Sequence, residues 1–68
     1  MPGPGDVLLT TAEVAELCRT VASTVRYWRF TGQGPPGFKV GTRVLYWRSD
    51  VLAWLQAKQE EEALSRAG

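Results

Sequence analysis

The middle of this 68-residue chain holds no acid: between Leu17 and Ser49 there is not one Asp or Glu. Histidine is absent throughout, and cysteine occurs once, at Cys18. Each absence excludes something. A lone cysteine forms no internal disulfide, and without histidine it builds no structural zinc site. The fold must therefore rest on side-chain packing, in a chain short enough that its core is thin. Cys18 has no base beside it in sequence and reads as a small buried apolar residue. The carboxylates sit at the chain ends rather than in pairs. Gly32, Gly34 and Gly37 fall among prolines, without the spacing of a phosphate-binding loop. The expectation is a non-enzyme with no cofactor, no metal and no small-molecule substrate. No apolar run approaches the ~20 residues that span a bilayer, so no membrane partner is expected. Residues 1–7 read as a disordered Pro/Gly lead-in without the basic and apolar segments of a signal peptide. An unpaired cysteine fits a reducing, cytoplasmic location.

What the acid-free stretch does hold is cationic. Arg19, Arg26, Arg29, Lys39, Arg43 and Arg48 lie inside it, six of the eight basic residues. The acids lie outside: Asp6, Glu13 and Glu16 before it, Asp50, Glu60, Glu61 and Glu62 after it. A net charge of +1 thus conceals a basic middle with acidic ends. A one-signed field attracts a polyanion, and double-stranded DNA is the densest common one. The plain alternative is a solvated basic surface with no partner.

The local patterns predict three helices and a hairpin. Thr10 and Glu13 have capping-box spacing, and Val14, Leu17 and Cys18 form an apolar stripe, giving a helix over about 11–18. A second helix is expected over about 22–31, with Val21, Val25 and Trp28 on one side and Ser23, Arg26, Tyr27 and Phe30 on the other. Gly32 is its expected stop. Two short helices joined by about three residues read as a helix-turn-helix. After a Gly/Pro loop at 33–37, Phe38–Val40 and Arg43–Tyr46 flank Gly41-Thr42, a hairpin signal with Gly41 at positive φ and a cationic tip. Ser49 is the expected N-cap of a third helix to about Gln59, or on through Glu60–Leu64, with a frayed, solvated tail at 61–68. Trp28, Trp47, Trp54 and Phe38, with Leu and Val, are the expected core.

The order helix, turn, basic helix, basic-tipped hairpin, helix suits DNA. A helix fits the major groove, where each base pair shows its own donor and acceptor pattern. A short hairpin reaches the adjacent minor groove or backbone. The segments 9–17, 23–29, 38–43 and 48–55 together resemble the small MerR-like winged helix-turn-helix proteins, the group of excisionases (recombination directionality factors) and AlpA-like regulators. The resemblance covers residues 8–57 and departs at Val21-Ala22, where such proteins carry a Ser-Pro-like cap; Thr20 is the alternative cap here. It implies a mainly α, small α+β winged helix-turn-helix of three helices plus a two-stranded β-hairpin wing, spanning 8–60. It also implies a recognition helix with Ser23 and Thr24 near base edges, Arg26 on a base or a phosphate, and Tyr27 on the backbone. Lys39, Thr42 and Arg43 match the wing, and Arg48 a phosphate clamp.

Duller roles stand beside these. Tyr27 either meets DNA or completes the core. Arg26 is otherwise a solvated surface residue, and Arg29 either packs its stem or reaches a phosphate. Lys39 and Arg43 are otherwise edge charges that block sheet aggregation. Phe30 has no assigned role.

The function expected is sequence-specific binding of double-stranded DNA as an excisionase, a bacterial or phage-encoded accessory factor that steers a site-specific integrase toward excision. A single module buries only about 600–1,000 Å² on DNA, so repeated sites, self-association on DNA and the integrase itself are the expected partners. The runner-up is a small transcription regulator of the same fold. An alternative of another class is a protein-interaction adaptor that docks an acidic partner on Tyr27, Phe30 and the basic face.

Overall fold

The computed structural model describes residues 3–67. The elements run β1 (Leu8–Thr10), α1 (Thr11–Leu17), α2 (Ala22–Thr31), β2 (Phe38–Val40), β3 (Arg43–Trp47) and α3 (Arg48–Ala67). This is the expected small α+β winged helix-turn-helix, with one strand more than the hairpin alone. β3 is the centre of an antiparallel sheet ordered β1-β3-β2. β1 pairs with it through Leu8–Trp47, Leu9–Tyr46 and Thr10–Leu45, and β2 through Phe38–Leu45, Lys39–Val44 and Val40–Arg43. Three residues carry too little alternation to announce a strand. β1 exists because a partner far along the chain completes its hydrogen bonds.

The helix starts and stops follow local chemistry. Thr10 caps α1: its Oγ1 accepts from the Glu13 N–H at 3.2 Å, while Glu13 Oε1 accepts from the Thr10 N–H at 2.8 Å. α1 ends with the Thr20 N–H donating to the Ala15 carbonyl and the Arg19 N–H to that of Glu16. This paired closure puts Arg19 in the left-handed region, φ +59°. α2 closes the same way, with the Gln33 N–H on the Trp28 carbonyl, but there the left-handed residue is Gly32, as expected. Thr20 does not cap α2. Its N-cap is Val21, which makes no side-chain cap bond and is exposed rather than core. Gly41 does hold a positive φ at the hairpin turn.

The third helix departs from expectation at both ends. Ser49 lies inside the helix, and the carboxylate at its start is Asp6. Ser49 Oγ donates to Asp6 Oδ2 at 2.6 Å and the Ser49 N–H to Oδ1 at 3.2 Å. The Arg48 N–H donates to the Val7 carbonyl. The described part of the expected disordered lead-in is therefore tied to α3; Met1 and Pro2 lie outside the described residues. The Ser49 hydroxyl bond, aided by backbone N–H groups of Val7 and Ser49, holds the Asp6 carboxyl below its usual range. At the other end the helix runs on to Ala67 instead of fraying from 61, about 30 Å in all. Gly68 lies outside the described residues.

The core is aliphatic with one tyrosine. Leu9, Val14, Ala15, Val25, Tyr46 and Val51 are buried, and they come from every element except β2, all of whose residues are exposed. The tryptophans instead form half-buried margins. Trp28 and Trp54 stack at 5.1 Å, with Trp54 Nε1 donating to the Gln33 carbonyl. Trp47 packs on the half-exposed Phe38 at 6.2 Å. Rings this large do not fit entirely inside so thin a core. Cys18 is half-buried against the core, and burial pushes its thiol up, away from reactivity. Gly37 has its own reason: a Cβ there would lie 2.6 Å from the Tyr46 ring.

Candidate nucleic-acid interface

α2 packs on α1, with Val25 in the core and Trp28 against Trp54 of α3. Its opposite side is a stripe of Ser23, Arg26, Tyr27 and Phe30, at i, i+3, i+4 and i+7, all exposed. Tyr27 is 61% exposed, so it does not complete the core; Tyr46 fills that place at 1%. Thr24 is half-buried at the flank. Arg29 falls toward the core side of the helix yet stays exposed, lining the same cleft as Tyr46.

Between α2 and the wing lies an open cleft. Arg26, Arg29 and Phe30 form its helix wall, Thr42 and Val44 its wing wall, with Tyr46 and Thr11 also lining it. Burial pushes the Tyr46 hydroxyl up, while the Arg29 charge and the Thr11 hydroxyl act in the opposite direction. The phenol stays neutral there, a hydrogen-bonding group in a cationic cleft. Thr11, Val44 and Tyr46 were absent from the sequence-derived site. Alternation along β3, which puts residues 44 and 46 on one face, was the signal available.

Register also divides the wing. Lys39 pairs with Val44 and so shares the sheet face of Tyr46 and the cleft. Arg43 pairs with Val40 and takes the opposite face. The two cations that flank the turn thus point to different sides of the hairpin. Arg48 lies beyond the far end of β3, about 17 Å along the chain from Arg43, and does not line the cleft. The structure therefore gathers Arg26, Arg29 and Thr42 at one cleft with Lys39 on the same wing face. It leaves Arg43 on the reverse of the wing and Arg48 apart.

None of these cations is neutralised by a neighbour. Among the described residues the single ion pair is Lys58–Glu61 on α3, at 3.5 Å. The side bearing α2 and the wing is a cationic surface of helix and hairpin without ion-pair partners among the described residues, the charge of a DNA-binding face. Residues 8–59 match the helix-turn-helix domain family.

The chain belongs to the helix-turn-helix domain family.

No curated protein and no solved structure matches it. As a helix-turn-helix domain it binds double-stranded DNA sequence-specifically. Its second helix, α2, is about 15 Å long and bears the exposed stripe. Among the described residues no group of His, Cys, Asp or Glu side chains is clustered to hold a metal, and no helix is long and apolar enough to cross a membrane.

Proposed function

We propose that this helix-turn-helix domain is an excisionase of the MerR-like group: an architectural factor that binds repeated sites on double-stranded DNA and steers a site-specific integrase toward excision. The observation that carries the reading is the segregation of two exposed surfaces of opposite charge. One is the cationic face of α2 and the wing. The other is the second half of α3, where every residue from Gln56 to Ser65 is exposed and Glu60, Glu61 and Glu62 follow one another. A DNA face on one side and an acidic arm on another suit a factor that holds DNA while it touches a neighbouring protein.

In this reading Ser23, Thr24 and Arg26 address base edges, and the Tyr27 hydroxyl takes a phosphate. Arg29 takes a phosphate beside Tyr46. Lys39 and Thr42 serve the hairpin's contact with the minor groove or backbone, while Arg43, on the reverse of the wing, and Arg48, apart from the cleft, take phosphates outside it. Neighbouring copies and the integrase meet the acidic arm.

The test is a recombination reaction with the integrase encoded nearest the gene, on plasmids bearing its attachment sites. The expected result is that the protein raises excision and lowers integration. Replacing Glu60, Glu61 and Glu62 by Gln should keep single-site DNA binding and lose that stimulation. A protein that binds its motif and leaves both reactions unchanged overturns the reading in favour of a small transcription regulator.

A further inference from the structure

Phe30 is 89% exposed, more than any other large hydrophobic side chain described. It packs into no core, and its ring takes no part in either aromatic pair. Its place is specific all the same. It sits one turn after Arg26 on the stripe that includes Ser23 and Tyr27, and it borders the cleft beside Arg29 and Thr42. An exposed apolar ring thus lies beside Arg26 and Arg29 on the face proposed to meet DNA.

Phosphates have no use for a phenyl ring, and neither do the donors and acceptors of base edges. The one apolar group that the major groove displays is the C5-methyl of thymine. We infer that Phe30 is a specificity-determining residue that reads a thymine methyl in the major groove, with Arg29 fixing the adjacent backbone. The ring and the methyl exclude water from each other, and cytosine, which lacks the methyl, leaves the ring wet. The inference rests on DNA binding by α2 and does not depend on the excisionase role.

The experiment begins with the motif selected by the protein from random duplexes. Each thymine of the motif is then replaced singly by deoxyuridine, which removes the methyl and leaves pairing intact. The intact protein should lose about fourfold in affinity at one thymine, the transfer free energy of one methyl group written as a ratio. Phe30→Ala should bind the thymine and uracil duplexes equally, with its thermal unfolding unchanged, since the ring is exposed. Phe30→Leu should recover part of the discrimination. Equal binding of thymine and uracil duplexes by the intact protein at every position overturns the inference, and so does a Phe30→Ala variant that still discriminates. Affinity for the unmodified motif reports separately on DNA binding itself.

Discussion

Two exposed helical surfaces of this molecule differ in what lies beneath them. The outer stripe of α2 rests on an inner side that is locked in place by buried Val25, by Trp28 against Trp54, and by the Gly32 closure. From Gln56 to Ser65 every residue of α3 is exposed, and Lys58 alone of these borders the gap toward Trp28 and Gly32. Its local support is the Lys58–Glu61 pair, worth about 0.2–0.5 kcal/mol on a helix surface. A helix held from below presents its side chains in a set arrangement and loses little freedom on binding DNA. A projecting helix end is the part a partner would order. Exposure alone does not define a binding face; the rigidity of its support decides what kind of partner it suits.

The support beneath α2 depends most on Tyr46, the buried ring lining the α2–wing cleft. Tyr46→Ala should cost about 3–5 kcal/mol, close to the whole stability that a core this small supplies. Circular dichroism and urea unfolding should show a largely unfolded chain, and a folded variant would mean that α2 is not held from beneath.

Arg26→Ala leaves the fold intact and should weaken binding to the selected motif by about 1–3 kcal/mol if it reads a base, relaxing one position of the sequence preference. Neutralising Glu60, Glu61 and Glu62 should leave affinity for a single site undiminished. Anisotropy titrations of both variants at one salt concentration separate the two surfaces. Equal losses would erase the distinction between them.

A smaller effect sharpens the contrast between the two helix closures that flank the recognition helix. Arg19 holds the left-handed conformation that Gly32 adopts freely. Arg19→Gly should raise stability by about 0.5–1 kcal/mol through relief of that strain, read as a higher urea midpoint. A lower midpoint would show that the Arg19 side chain contributes more than its backbone costs.

The mildest effect lies at the root of α3. Asp6 titrates lower in the folded chain than in the unfolded one. Its bond to Ser49 therefore stabilises the fold above the unfolded carboxyl value of about 3.9 and is lost as pH falls through the folded value. Asp6→Asn should lower the unfolding midpoint at pH 7 and make no difference in strong acid. A difference that persists in strong acid would assign the effect to shape instead of charge.

Much of this was legible in the chain itself. The capping box at Thr10 and Glu13, the stripe on α2, the stop at Gly32 and the turn at Gly41 are local, so neighbours in sequence are enough to specify them. The acid-free middle named the class of partner, because charge needs no fold to be counted. What remained hidden was non-local. β1 needed β3, dozens of residues away. The start of α3 needed Asp6 from the opposite end of the chain, where Ser49 alone suggested a cap. Tyr46, an ordinary strand residue in sequence, became the centre of the core and the floor of the cleft, while the tryptophans went to its margins. The two-residue turn at Gly41-Thr42 already set Val40 opposite Arg43, which turns Lys39 and Arg43 to opposite faces of the wing. Sequence determined the helices, the turns and the charge, because those depend on near neighbours. Tertiary structure decided which side chains share a face, because that follows from how distant segments pack.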